Sequence, residues 1–380
     1  QPSLEITNTY NPPADAAFTA TKTWAGGPNA NKIAITLDLY RQSANMTERE
    51  LVPDVSPQIT GQAPTYTYQW NNLVSRDSKG EPYTFTVKER DEDEDGYLTI
   101  LQDGSTYEVS YDADHKDVTN TYQIPRDKEV VATKEWVNGP AAARPDIWFK
   151  LQRRTPGGVW GDVPGIDPET YVDIKQVPDQ EVQNPDALLS VTWENQERTN
   201  FFGVNWEYAV IEGKLENGVF TEVVPENYNL SGQGTLNLKN TYIIPTKTMT
   251  AQKQWVNGPQ QKPTVWFKLQ RTIGSGNDTV DIPFTTGEAG SAILKLQNGI
   301  TSVRWENVEQ TTIAGEPYTF SIVEGLLNED TQAFTPGLPL HDENYPGYEY
   351  TAAPMTDALG VVNTYTSPTG SKTTRKIWAG

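Results

Sequence analysis

The chain has 380 residues, with 29 Gly, 27 Pro, 10% aromatic residues and no Cys. Abundant turn formers and aromatics suit an all-β chain with many turns and exclude a mainly helical one. The formal net charge of −20 argues against nucleic acid and anionic membranes as partners. The absence of Cys fits a reducing compartment, or an exported protein stabilised by other means.

In chain order, the first marker is Asn-Thr-Tyr at Asn8, which recurs at Asn120, Asn240 and Asn363. A second triplet, Lys-x-Trp, stands at Lys22, Lys134, Lys253 and Lys376, in steps of 112, 119 and 123 (134 − 22, 253 − 134, 376 − 253). One Asn-Thr-Tyr lies between successive Lys-x-Trp triplets. This phase defines three units, 17–122, 130–242 and 249–365. It also predicts two partial ones: 1–10 ending a preceding repeat and 373–380 opening a following one, with strands at Ser3–Tyr10 and Thr373–Gly380. A period this long is a whole domain. Short linkers carry Pro12–Pro13, Pro125, Pro245 and Pro368, which restrict hinge motion. No stretch is long and apolar enough to span a bilayer. Gln1 opens without a signal-peptide pattern, so the chain reads as a soluble piece of a longer protein.

Strand-period alternation dominates each unit, and no convincing amphipathic helix emerges. About seven short strands in a unit of this length imply a β-sandwich. Asn-Gly pairs at Asn138, Asn217, Asn257 and Asn298 are read as turns.

Residues i and i+2 of a strand share a face. Ala20, Lys22 and Trp24 therefore point one way, as do Ala132, Lys134 and Trp136, and Ala251, Lys253 and Trp255. A second stripe ends in Glu: Tyr83, Phe85, Val87 and Glu89; Trp206, Tyr208, Val210 and Glu212; Tyr318, Phe320, Ile322 and Glu324. The last strands place Asn120, Asn240 and Asn363 between apolar residues. Each unit thus sets one Lys, one Glu and one Asn on core-facing positions. Burying a charge costs several kcal/mol unless it is paired or neutralised.

Two readings account for the pattern. In one, Lys and Glu form a buried ion pair with Asn as hydrogen-bond partner. In the other, desolvation lowers the Lys pKa and raises that of Glu, giving a nucleophilic amine beside a proton donor. The Asn carboxamide is then the electrophile, and the product is a Lys–Asn isopeptide bond.

At these residues the sequence resembles the B-type repeat domains of Gram-positive collagen adhesins (Cna B-type domains), also found in sortase-assembled pilins. The motifs that carry the resemblance are "KTW", "FTVKE" and "TNTY"; "KEW", "YAVIE" and "KNTY"; and "KQW", "FSIVE" and "VNTY". The resemblance implies an inverse-immunoglobulin-like β-sandwich in each of three tandem domains. It also implies spontaneous Lys22–Asn120, Lys134–Asn240 and Lys253–Asn363 bonds assisted by Glu89, Glu212 and Glu324. The Glu-to-Asn gap is longest in the third unit, around "TPGLPLHDENYPGY". Such repeats imply a stalk of a wall-anchored, extracellular surface protein, contacting its own neighbouring repeats and using no cofactor. "SPTGS" at Ser367–Ser371 is not a sorting signal.

Rival features weigh less. "DEDEDG", Asp91–Gly96, opens like a calcium loop, but its closing Glu position holds Gln102. His115 and His341 have no partners at metal spacing. Most Trp residues fall in repeat register and read as core; Trp160 is placed in an exposed loop. The unit-specific loops Arg41–Gln62, Thr155–Pro185 and Asp330–Tyr348 are the places where a host matrix protein or glycan would be engaged directly. Nothing in the sequence suggests an enzyme with turnover.

Overall fold

The computed structural model describes residues 7–164, 173–179, 187–274, 280–281, 292–337, 340–341, 347–367, 369–370 and 373–378. Pro368, and parts of the loops 155–185 and 330–348, lie outside them. The chain is all-β. Its described helical turns are two short 3-10 segments, Asn29–Asn31 and Ala141–Ala143. Among the described residues no helix is long and apolar enough to cross a membrane.

The apolar residues gather into three successive cores, each pressed between two sheets. Three strands of each unit carry the recurrent polar residues. The Lys strands are Ala16–Ala25, Lys128–Val137 and Thr246–Val256. The Glu strands are Thr84–Glu89, Glu207–Glu216 and Thr319–Asn328. The Asn strands are Asp117–Tyr122, Asn237–Tyr242 and Gly360–Thr366.

In every unit the Lys strand pairs with an antiparallel neighbour on one side and with its own Asn strand, in parallel, on the other. The register repeats: Trp24 faces Asn120, Trp136 faces Asn240 and Trp255 faces Asn363. The Lys, two residues earlier, therefore shares the inner face with the Asn. The Glu strand belongs to the opposite sheet, paired with Leu37–Gln42, Trp148–Arg154 or Val265–Ile273. First and last strands of a unit are thus adjacent, and Glu reaches them across the core.

Turn chemistry follows the sequence at Asn217–Gly218. Both residues have positive φ and Glu216 pairs with Val219, the signature of a two-residue primed hairpin turn. The ends differ from expectation. Residues 7–10 and 373–378 are described but lie outside any strand, because a ladder needs a second backbone to bond with. Trp160 is half-buried, its ring covered by the Arg154 guanidinium at 4.2 Å, so the loop is not open there. Asp91–Gly96 is a turn in which the Asp93 carboxylate accepts the N–H groups of Asp95 and Tyr97 at 3.0 and 2.8 Å.

Candidate functional site

Alternation along the Lys strand turns its inner residues into the core. Lys22 and Lys134 are 0% exposed and Lys253 is 3% exposed. Each ammonium lies over the Trp two residues on, at 4.6 Å for Trp24, 4.7 Å for Trp136 and 4.2 Å for Trp255. That contact gives Lys-x-Trp a physical reason: the ring face covers the amine and excludes water while favouring its residual charge. A Tyr on the strand beyond the Asn strand, buried at Tyr107 and Tyr350 and half-buried at Tyr228, meets each Trp edge-on, at 4.9 Å for Tyr107 and Tyr228 and 5.0 Å for Tyr350. Sequence reasoning missed these tyrosines. Their signal was an aromatic in each penultimate strand, hidden by unequal spacing from the Trp it covers (107 − 24 = 83, 228 − 136 = 92, 350 − 255 = 95).

The structure brings each predicted triad together. In the first unit Lys22 Nζ lies 3.3 Å from Glu89 Oε2, and Asn120 Nδ2 donates to Glu89 Oε1 at 3.0 Å. In the second, Lys134 pairs with Glu212 Oε2, and Asn240 Nδ2 donates to Glu212 Oε1 at 2.6 Å. In the third, Lys253 Nζ lies 3.2 Å from Glu324 Oε1. Asn363 makes no hydrogen bond of ordinary geometry there, yet it lies close enough to Glu324 to favour its ionised form. The carboxyl therefore sits between amine and carboxamide in the first two units, and beside both in the third. In all three, the buried Asn Oδ1 has no hydrogen-bond partner. An orphaned buried carbonyl is a cost that folding seldom leaves unmet.

Burial sets the electrostatics. Desolvation pulls Lys22, Lys134 and Lys253 from 10.5 down to about 8, against the opposing pull of the carboxylates. The same desolvation pushes Glu89 and Glu324 above the usual carboxylate range. Exchange of one proton between such a pair yields a neutral amine and a neutral carboxylic acid, the protonation states that nucleophilic attack on a carboxamide needs.

Residues 18–121 match the family described as the Cna protein B-type domain. The first unit is thus similar to a Cna protein B-type domain. The second and third units repeat the first unit's Lys, Glu and Asn positions in the same strand register. A collagen adhesin of Staphylococcus aureus is 25% identical over 177 residues, which is 47% of this chain and 12% of that protein. The chain thus spans about an eighth of the length of that relative. Among solved structures, two B repeat units of the S. aureus collagen-binding protein align over 93% of this chain and 76% of theirs, at 16% identity and TM-score 0.31. A major pilin (T3.2) of Streptococcus pyogenes aligns over 64% and 99%, at 14% identity and TM-score 0.20.

Proposed function

We propose that the chain is a stalk segment of a bacterial cell-surface adhesin or pilus-like protein. It is built from three tandem domains, 17–122, 130–242 and 249–365, each closed by a Lys–Asn isopeptide bond. The observation that carries this reading is the thrice-repeated buried triad, with its carboxyl bonded or adjacent to both amine and carboxamide. In the step itself, the carboxamide turns its unpartnered Oδ1 toward the Glu carboxyl in place of Nδ2, neutral Lys Nζ attacks Asn Cγ, and the carboxyl protonates Oδ1. The tetrahedral intermediate then collapses. The Cγ–Nδ2 bond breaks, Nδ2 leaves as ammonia carrying the proton lost by Lys, and Glu ends protonated as it began. Each site turns over once, so the protein is not an enzyme in the ordinary sense.

A staple from first to last strand suits a load-bearing role, because tension along the chain crosses the covalent link before it reaches the hydrogen-bonded sheets. The similarity of the first unit to B-type domains, and the partial match to a collagen adhesin, support an extracellular, wall-anchored setting. Collagen binding is a property of that relative's name and is not assigned to these units.

Intact mass under denaturing conditions tests the proposal. Each bond expels one ammonia, so the mass falls about 17 Da per bond and about 51 Da for three. A mass equal to that of the unmodified sequence, in fresh and aged samples alike, leaves only the buried ion-pair reading.

A further inference from the structure

Successive units touch through a contact that occurs twice with the same parts. One part is a seven-residue hairpin between the two sheets of a unit, closed by a Thr199–Asn205 or Thr311–Pro317 bridge. The second residue of each hairpin holds the tip. Asn200 Oδ1 accepts the N–H groups of Phe202 and Val204 at 2.9 and 3.1 Å, and Thr312 Oγ1 accepts that of Glu316 at 3.1 Å. Gly203 and Gly315, at φ +76° and +85°, complete the turn.

The other part belongs to the preceding unit: the turn just after its Lys strand, Gly26–Pro28 or Asn138–Pro140, and the Tyr that ends its Asn strand. Gly27 N–H donates to Phe201 O at 2.8 Å, and Gly139 N–H donates to Ile313 O at 2.9 Å. Tyr122 Oη is 3.0 Å from Thr199 Oγ1, and Tyr242 Oη is 3.0 Å from Thr311 Oγ1. The hairpin glycine lies flat on the turn proline: a Cβ at Gly203 would come within 2.5 Å of Pro28 Cδ, and one at Gly315 within 2.2 Å of Pro140 Cδ. The linker joins in, since Arg198 N–H donates to Pro125 O and Gln310 N–H to Pro245 O, both at 2.9 Å.

We propose that this hairpin-on-turn contact is a repeated docking device that fixes each unit on the one before it, and that Gly258, Pro259 and Tyr365 are the receiving half of a further joint. Asn257 and Gly258 adopt the same left-handed turn as Asn138 and Gly139, at φ +63° and +79°. The occupant that fits is the Gly-containing hairpin, closed at its base by Thr, of a following repeat of this architecture. The chemistry is specific: a carbonyl at the tip for the Gly N–H, a hydroxyl for the Tyr, and a Cβ-free residue over the proline. A short linker alone leaves neighbouring domains free to reorient. Four matched contacts beside a proline remove that freedom. The inference rests on the inter-unit contacts and holds whether or not the staples form.

The absence of cysteine makes spin labelling direct. Labels at the exposed positions Thr99, Thr221 and Ser321, introduced pairwise as Cys in the full chain, report each joint by pulsed dipolar spectroscopy. The wild type should give one narrow distance distribution per pair. Gly203→Ala, and separately Thr199→Val, should broaden the Thr99–Thr221 distribution about two-fold or more toward that of a free linker, leaving the Thr221–Ser321 pair unchanged and the intact mass altered only by the substitution itself. Thr199→Val keeps the hairpin backbone, so its effect is not misfolding of the tip. A chain extended beyond Thr366 by a second copy of residues 243–366 should show a third narrow joint, lost on Tyr365→Phe in the first copy. Broad wild-type distributions, or variants as narrow as the wild type, overturn the proposal.

Discussion

Replacing Glu212 by Gln isolates the contribution of one staple. The substitution is nearly isosteric, and the Gln oxygen can still accept the Asn240 amide that Glu212 Oε1 accepts at 2.6 Å. Gln cannot shuttle a proton, so the second unit should fold unbonded. Lys134 and Asn240 stand 106 positions apart (240 − 134). Closing a loop of that length removes about 5 kcal/mol of unfolded-state entropy by the chain-entropy relation applied to disulfides, an argument that depends on connectivity rather than on bond chemistry. A unit spanning 130–242 has an unfolding entropy of about 0.24 kcal/mol/K, so its melting temperature should fall on the order of 20 °C. Calorimetry should resolve this as one early transition, with the mass about 17 Da heavier than wild type apart from the substitution itself. Under force, the variant should release roughly 350 Å of hidden chain that the wild type keeps. A variant that regains the ammonia mass yet melts within a few degrees of wild type would refute the loop-closure argument. A variant that keeps the full mass loss would show that Glu212 has no part in the chemistry.

Glu89→Gln and Glu324→Gln should each restore one ammonia's mass and leave the other two bonds intact, read by peptide mapping of the cross-linked strands. In Asn120→Ala no bond can form in the first unit, and Lys22 keeps a folded pKa of about 8 against 10.5 unfolded. Between those values the unfolded chain binds a proton that the folded core has shed, so stability should rise with pH across that window and stay flat there in the bonded wild type; pH-dependent urea melts decide it. Gly218→Ala meets no neighbour within 4 Å and acts only through its φ of +78°. It should cost about 1 kcal/mol in the same melts without changing the number of ammonia losses.

The sequence alone determined the all-β class and placed nine recurrent Lys, Glu and Asn residues on core-facing strand positions, where the structure buries them. The reason is local: a strand alternates with period two, so a Lys two positions before a Trp, or a Glu ending an aromatic stripe, declares its face without reference to the rest of the chain. Bracketing each unit with Lys at one end and Asn at the other was also legible, because repetition separates constrained positions from tolerant ones. Tertiary structure decided what those faces meet. The parallel register that sets Trp24 against Asn120 (120 − 24 = 96 positions), and the facing sheet that brings Glu89 to Lys22 (89 − 22 = 67) and Asn120 (120 − 89 = 31), depend on long-range pairings that no local pattern encodes. Tyr107, Tyr228 and Tyr350 escaped notice for the same reason: each closes over a Trp from a strand whose distance along the chain varies, while its distance in space does not. No sequence pattern marked the hairpins at Thr199 and Thr311, and only their position against the glycine-proline turn of the unit before shows what they hold. Strand character is likewise not a property of 7–10 or 373–378 by themselves, since a ladder exists only where a second backbone supplies its other half.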